Sequence, residues 1–130
     1  MTESVGIDLV ETNRIRKILK KHGARFVNRI LGQRELAAYA QKGDKVNFLA
    51  GRFAAKEAVI KSLGRFLTNR PAYRSLEIVN DETGNPYLDF GTLAGEKLRH
   101  KKCLISISHE KHYATAVAII TAGKRTTQKF

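Results

Sequence analysis

One stretch of the chain carries acidic and basic residues where a simple core helix would carry none. Residues 53–64 read FAAKEAVIKSLG, with Lys56, Glu57 and Lys61 set among apolar residues. Glu57 and Lys61 are four residues apart and therefore share one face of a helix. Two interpretations of this face stay open. It is either an exposed ion pair that contributes a few tenths of a kcal/mol, or a carboxylate that holds a cation beside lysines that face phosphates.

A second acid lies near the start of the chain. Residues 4–10, SVGIDLV, alternate apolar with small or polar side chains, which predicts a short strand with one buried face. We expect that face to carry Val5, Ile7 and Leu9, with Asp8 on the other. An acid in a short apolar strand costs free energy unless it is paired or binds a cation. Since Mg²⁺ takes one or two carboxylates and completes its shell with water and phosphate oxygens, Asp8 and Glu57 would suit a magnesium site on a phosphorylated substrate.

The elements that must position these acids follow from periodicity and turn residues. A helix is predicted from Thr12, as the N-cap, to Gly23; a second helical stretch, GQRELAAYAQKG, ends at Gly43, and a long helix, NFLAGRFAAKEAVIKSLG, ends at Gly64. SLEIVNDETGNPYLDF reads as a hairpin and LAGEKLRHK as a short helical piece. KCLISISHE and YATAVAIIT are two further strands.

This order of elements predicts an α+β fold. With 130 residues, the chain suits a single domain over 1–130 in which a mainly antiparallel sheet packs against the long central helix. The segment 121–130 is basic and is expected to be a mobile tail.

Composition narrows the partners and the compartment. There are 24 Lys and Arg against 12 Asp and Glu, a net charge of +12, so the surface attracts polyanions. Cys103 is the single cysteine and has no internal partner for a disulfide. The N-terminal residues lack the pattern of a signal peptide, and no apolar run approaches the roughly 18 residues that cross a bilayer. A reducing cytoplasm, without membrane contact, is therefore expected.

Two motifs resemble those of a known enzyme family. GxD at 6–8 followed by Arg14, and FxxKEAxxK at 53–61, are similar to the two signatures of the phosphopantetheinyl transferase superfamily. The strings GIDLVE, LAGRFAAKEAVIKSLG and ISISHEKHYATAVAI resemble the first strand, central helix and C-terminal hairpin of its small branch, holo-(acyl-carrier-protein) synthase. Each motif alone is weak, but three in the right order cover nearly the whole chain.

The resemblance implies transfer of 4′-phosphopantetheine from coenzyme A to a serine of acyl carrier protein, releasing adenosine 3′,5′-bisphosphate, in support of fatty acid biosynthesis. It implies that Asp8 and Glu57 hold Mg²⁺. Lys56 and Lys61 would face phosphates, with Lys61 either orienting a phosphate or assisting proton transfer. Arg52, one residue before the second motif, would suit the 3′-phosphate of coenzyme A.

The C-terminal hairpin adds further candidates. His109, in the sequence Ser-Ile-Ser-His at 106–109, is either structural or lies near the nucleotide, where it would contact the 3′-phosphate or help to take the serine proton. By the same resemblance, Ser108 and Gly64 are expected to approach the cofactor. The general base stays open among His109, Lys61 and a water held by Glu57.

The first helix is the candidate partner surface. Basic residues three or four apart follow it and continue just beyond it, at Arg14, Lys17, Lys21 and Arg25. They are either a solvated face or a ridge that steers an acidic carrier protein. The resemblance favours the second interpretation, most of all for Arg14. It also implies a homotrimer with active sites between subunits.

Two alternatives compete with a transferase. The charge suits a small basic module that binds nucleic acid, although no RNP, KH or zinc motif is present and Asp8 and Glu57 would then be unexplained. The other alternative is an inactive relative that keeps the fold and only binds coenzyme A. The presence of Asp8, Glu57 and Lys61 speaks against it.

Overall fold

The computed structural model describes residues 1–90, 98 and 100–122. Four helices and five strands are assigned within those residues, with one 3₁₀ turn between the last helix and the second strand. In chain order they are β1 (Thr2–Glu11), α1 (Thr12–His22), α2 (Ala24–Ile30), α3 (Gln33–Ala40), α4 (Lys45–Leu63), the 3₁₀ turn (Tyr73–Ser75), β2 (Glu77–Asn80), β3 (Pro86–Asp89), β4 (Lys101–His109) and β5 (Tyr113–Ala122).

The five strands form one antiparallel sheet in the order β1-β5-β4-β3-β2. β5 lies between β1 and β4, the other two long strands. Val117 of β5 therefore pairs with Ile7 of β1 on one side and with Ser106 of β4 on the other. α4 packs across β1, β5 and β4 on one face of this sheet. The predicted α+β class, with an antiparallel sheet against a long central helix, is confirmed.

β1 alternates as predicted but turns the opposite face to the core. Val5, Ile7 and Leu9 are 56%, 62% and 64% exposed, whereas Gly6 is buried. The reason is that α4 packs on the Gly6 face: a Cβ built there would lie 1.9 Å from the carbonyl oxygen of Ala58. Only glycine allows this approach, so the apolar side chains of β1 are left on the outer face.

The α4 face that meets the sheet is made of small side chains. Phe48, Phe53 and Ile60, which the periodicity marks as the apolar positions, are only partly buried at its margins. The fully buried positions include Ala50, Ala54, Ala55 and Ala58 on α4, and β5 presents Ala114 and Ala118. Small side chains on both sides bring the helix close to the strands.

The helices differ from the prediction at their ends. α1 begins with Thr12 itself, after Glu11 as the N-cap, and ends at His22, followed by Gly23 as the C-cap, whose φ of +54° favours glycine. α2 was not predicted; it follows Gly23 directly. α3 ends at Ala40 rather than continuing to Gly43.

Other predicted segments have mixed outcomes. The β2–β3 hairpin is confirmed, and its turn is held by Asp81, whose Oδ1 accepts hydrogen bonds from the backbone nitrogens of Thr83 (2.9 Å) and Asn85 (3.0 Å). The expected helical piece at 93–101 falls largely outside the described residues. β5 reaches Ala122, so the first two residues of the predicted tail belong to the sheet, and 123–130 lie outside the described residues. Within the described part of the chain, no helix has the length and apolar character to cross a membrane.

Candidate active site

Two predicted site residues meet where β1 crosses α4. Lys61 Nζ donates hydrogen bonds to Asp8 Oδ1 at 3.2 Å and to the carbonyl oxygen of Ile7 at 2.9 Å. The strand is fixed against the helix by Gly6 and by a hydrogen bond of 2.7 Å from Ser4 Oγ to the carbonyl oxygen of Ser62. Asp8 lies on the inner face of β1 because it is two residues from Gly6. The glycine of the first motif therefore brings its aspartate to α4.

Glu57 lies one turn before Lys61 on α4 and is held by the segment that follows the helix. Its Oε1 accepts a hydrogen bond from Arg70 Nη2 at 3.2 Å, and its Oε2 accepts one from the hydroxyl of Tyr73 at 3.0 Å. Arg70 Nη2 also donates to the Tyr73 hydroxyl oxygen at 2.6 Å. Both partners of Glu57 were missed by sequence reasoning.

Asp8 and Glu57 suit a hard divalent cation. They offer carboxylate oxygens from adjoining elements, and their side chains are 18% and 24% exposed, so both reach solvent. No group of three or more potential metal ligands occurs among residues 1–90, 98 and 100–122. Two carboxylates are nevertheless the protein ligands that Mg²⁺ ordinarily takes when phosphates supply other oxygens. The donor set therefore fits Mg²⁺ bound together with a phosphorylated substrate.

Lys56 corrects the prediction that it faces a phosphate. Its side chain is completely buried, and Nζ donates to Glu35 Oε1 at 2.6 Å and to the carbonyl oxygens of Ile30 (2.5 Å) and Tyr73 (2.9 Å). An ammonium group has three hydrogens to donate, and all three are used. Burial lowers the pKa of Lys56, and contact with Glu35 opposes this shift. Lys56 is therefore part of the core and not of the phosphate site.

Arg52 lies one turn before Lys56 and is also largely enclosed. Its guanidinium carbon is 4.7 Å from the ring centroid of Phe48, and its Nε is 3.8 Å from Glu35 Oε2. The Nε is buried and has no hydrogen-bond partner in the described part of the chain. Burial lowers the pKa of Arg52, against the effect of Glu35. Contact of Arg52 with a 3′-phosphate stays a prediction.

His109 and Ser108 lie on opposite faces of β4, as neighbours in a strand must. The His109 Nδ1 is 3.0 Å from the side-chain nitrogen of Asn47. Since that amide nitrogen is a donor, Nδ1 accepts and Nε2 carries the proton in the neutral ring. The His109 ring also faces Gly51, where a Cβ would lie 3.5 Å from its Cδ2, and Gly51 is ten residues before Lys61, about 15 Å along the helix. The structure therefore does not bring His109 to the Asp8–Lys61 pair within one chain.

Gly64 ends α4 with ordinary helical geometry. Its φ is −56°, and a Cβ built on it would meet the carbonyl oxygen of Lys61 at 3.4 Å, an ordinary contact. The backbone at this point does not require glycine. An approach of Gly64 to a cofactor stays a prediction.

A basic groove of about 580 Å³ lies between α1, α2, α4 and the 3₁₀ turn, and its lining includes Tyr73, which binds Glu57. Arg14 and Arg25, both predicted partner residues, line it together with His22 and Arg29. Its apolar lining is Ile18, Phe26, Ile30, Phe53 and Tyr73. Lys17 and Lys21 are exposed but do not line it. Of the four predicted partner residues, two therefore line the groove, Arg14 and Arg25, and the other two do not.

Comparison with known proteins decides the family. The model of the 4′-phosphopantetheinyl transferase superfamily matches residues 4–118, which include every element that forms the site. The chain belongs to this superfamily. The match covers both the strand with Asp8 and the helix with Glu57 and Lys61.

Individual members of the superfamily agree with this chain over most of their length. Holo-[acyl-carrier-protein] synthase of Protochlamydia amoebophila (strain UWE25) is 42% identical over 119 residues, covering 92% of this chain and 98% of the relative. The crystal structure of holo-[acyl-carrier-protein] synthase from Neisseria meningitidis superposes with a TM-score of 0.82 at 32% identity, covering 93% and 99% of the two chains. That from Bacillus anthracis str. Ames, in complex with CoA (3′,5′-ADP), gives 0.74 at 35% identity, covering 92% and 96%.

These findings confirm the resemblance to the holo-(acyl-carrier-protein) synthase branch of the phosphopantetheinyl transferases and the prediction that the chain is an enzyme. They favour a transferase over a nucleic-acid-binding module. The contacts of Glu57 could not be read from the transferase motifs, because Tyr73 is 16 residues away in an irregular segment. The sequence signal for these contacts is limited to the presence of Arg70 and Tyr73 shortly after the helix that carries the second motif.

Proposed function

We propose that this protein transfers 4′-phosphopantetheine from coenzyme A to a serine hydroxyl of an acyl carrier protein and releases adenosine 3′,5′-bisphosphate. The observation that carries the proposal is the meeting of Asp8 with Lys61, one helical turn from Glu57. Two carboxylates and an ammonium group at one edge of α4 are suited to a pyrophosphate bound with a divalent cation. The Bacillus anthracis relative has been crystallised with CoA, which supports coenzyme A as the donor.

Asp8 and Glu57 are proposed to hold Mg²⁺. When bound, Mg²⁺ would polarise the attacked phosphorus and offset the charge of the leaving group. Lys61 orients Asp8 by its hydrogen bond and adds a positive charge beside the phosphates. Because Lys61 Nζ acts as a donor in both of its contacts, orienting a phosphate suits it better than accepting the serine proton.

The basic groove is proposed to receive the carrier protein. Arg14 and Arg25 line it, and its apolar floor is continuous with Phe53 and Tyr73 beside Glu57. An acidic partner would be drawn to this groove by the net charge of +12, at a rate that falls as salt is raised. Its serine would then approach the carboxylates past Tyr73, which lines the groove and donates a hydrogen bond to Glu57.

A homotrimer with shared active sites is proposed on the basis of the outer sheet face. Val5, Ile7, Leu9 and Leu104 are all more than half exposed there. Apolar patches of this kind mark association surfaces, because their burial removes apolar area from water. Ser108 lies on the same face as Leu104, where a neighbouring subunit could be reached. The distance between His109 and Lys61 along one α4, about 15 Å, also suits a site that takes His109 from a different subunit.

The proposed setting is fatty acid biosynthesis in the cytoplasm. The deciding experiment is intact-protein mass spectrometry of an apo acyl carrier protein incubated with this protein, coenzyme A and Mg²⁺, with EDTA as the control. A gain of roughly 340 Da that requires Mg²⁺ is expected, the mass of one phosphopantetheinyl group. No gain across several carrier proteins, with the enzyme shown to be folded and to bind coenzyme A, would instead identify an inactive relative.

A further inference from the structure

We infer that Tyr73, supported by Arg70, is a positioning residue that holds Glu57 in the orientation needed for its ligand role. The inference rests on the proposed function, in which Glu57 is a metal ligand. It concerns two residues outside both motifs, in the segment that follows α4.

The geometry is a closed triangle of hydrogen bonds. The Tyr73 hydroxyl donates to Glu57 Oε2 at 3.0 Å, and Arg70 Nη2 bridges Glu57 Oε1 at 3.2 Å and the Tyr73 hydroxyl oxygen at 2.6 Å. Each oxygen of the Glu57 carboxylate thus accepts one hydrogen bond. A glutamate side chain has three rotatable bonds, and two fixed contacts reduce its freedom before any cation binds. Groups that orient a ligating carboxylate typically affect metal affinity 10- to 100-fold.

The hydroxyl of Tyr73 is not needed to anchor its own segment. The carbonyl oxygen of Tyr73 accepts a hydrogen bond of 2.9 Å from the buried Lys56, which ties the 3₁₀ turn to the core. The ring packs on Phe53 with centroids 5.6 Å apart. Replacing Tyr73 by phenylalanine therefore keeps the anchor and the ring contact, and it removes the donor to Glu57 together with the acceptor for Arg70.

Tyr73 also forms part of the basic groove. Tyr73 lines the groove with Phe53 and Arg14, while its hydroxyl donates a hydrogen bond to Glu57. One side chain therefore separates the proposed carrier-protein surface from the proposed metal ligand. This placement predicts that the ring of Tyr73 contributes to carrier-protein binding and that its hydroxyl contributes to metal binding.

The test is Tyr73→Phe, with Tyr39→Phe as the matched control. Tyr39 packs on α4 through Phe48, with ring centroids 6.1 Å apart, and its hydroxyl has no hydrogen-bond partner in the described part of the chain. Mn²⁺ affinity is measured by electron paramagnetic resonance with coenzyme A present and no carrier protein. Tyr73→Phe is expected to weaken Mn²⁺ binding roughly tenfold or more, whereas Tyr39→Phe leaves it unchanged. In turnover assays the Mg²⁺ requirement of Tyr73→Phe rises, while the KM for the carrier protein stays within about twofold of wild type.

Two further variants, Arg70→Gln and Glu57→Gln, distinguish failure of the positioning role from failure of the metal assignment. Arg70→Gln, at a side chain that is more than half exposed, replaces the bridging guanidinium by a shorter, uncharged amide without affecting the core, and it should also weaken Mn²⁺ binding. If Glu57→Gln weakens Mn²⁺ binding but Tyr73→Phe and Arg70→Gln do not, the positioning role is wrong and the proposed function stands. If Glu57→Gln itself leaves Mn²⁺ binding unchanged, the metal assignment fails and the positioning role fails with it. Added to Glu57→Gln, Tyr73→Phe should cause no further loss.

Discussion

Lys56 Nζ lies 2.6 Å from Glu35 Oε1, and neither side chain has any exposed surface. Glu35 is in turn satisfied by the backbone nitrogens of Gly32 (2.9 Å) and Ile78 (3.1 Å). One ion pair therefore joins α3, α4 and β2 inside the core. It gives the first lysine of the second motif a structural role inside the core.

Lys56→Met is expected to destabilise the protein by about 3–5 kcal/mol, because it leaves the Glu35 carboxylate buried and unpaired. Urea unfolding gives the free energy. Adding Glu35→Gln should recover part of the loss, because it removes the unpaired buried charge and keeps an amide oxygen that accepts from the backbone. A stable Lys56→Met protein with a raised KM for coenzyme A would return Lys56 to the phosphate site.

Much of the fold could be predicted because local patterns decide it. Alternation identified β1, β4 and β5, and turn residues identified the β2–β3 hairpin. Alternation alone could not say which face of β1 is inside. Gly6 packs against Ala58 in this chain, so the apolar side chains Val5, Ile7 and Leu9 face outward, against the usual expectation for a strand of an isolated domain.

The site could be predicted only as far as the motifs reach. Asp8 and Lys61 were each predicted as site residues, and the structure pairs them with each other, because Gly6 brings Asp8 to α4. Lys56 and Glu57 are adjacent in sequence but point in different directions, one to Glu35 and the other to Tyr73. Those partners come from α3 and from the segment after α4, and pairing across 16 or 21 residues leaves no periodic signal.

Asp8→Ala and Glu57→Ala are expected to abolish phosphopantetheinyl transfer while leaving the fold intact. Each removes a proposed Mg²⁺ ligand at a partly exposed position, so packing is little affected. Transfer is followed by mass spectrometry and folding by circular dichroism. Glu3→Ala is the control, because Glu3 is also an acid of β1 paired with a lysine, but that lysine is Lys101 of β4 and not a residue of α4. Near-normal rates in both site variants would overturn the metal assignment.

Arg14→Ala is expected to raise the KM for the carrier protein at least several-fold and to leave coenzyme A binding unchanged, because Arg14 lines the basic groove. Lys17→Ala removes the same charge from the same helix outside the groove and should have a smaller effect. Steady-state kinetics at two salt concentrations measure both constants. Equal losses for the two substrates in Arg14→Ala would place Arg14 at the cofactor instead.

Ile7→Asn and Leu9→Asn are expected to convert the proposed trimer to monomers, because both side chains are more than 60% exposed on the outer sheet face. Analytical ultracentrifugation measures the mass, with 14.6 kDa for one chain. Glu82→Gln, at an exposed turn position, is the control. A wild-type protein that sediments as a monomer under assay conditions would contradict the proposed assembly.

Cys103 predicts a defined loss of stability at high pH. Burial raises the pKa of its thiol to about 12, whereas an unfolded cysteine has a pKa of roughly 8.5. The unfolded state therefore releases this proton first, so the stabilisation is complete below about pH 8.5 and is lost as the pH rises toward 12. Between pH 7.5 and 10, wild type should lose about 2 kcal/mol more than Cys103→Ala in urea unfolding under reducing conditions. If both proteins lose the same amount, the folded protein accommodates the thiolate, and Cys103 is not as enclosed as its 3% exposure indicates.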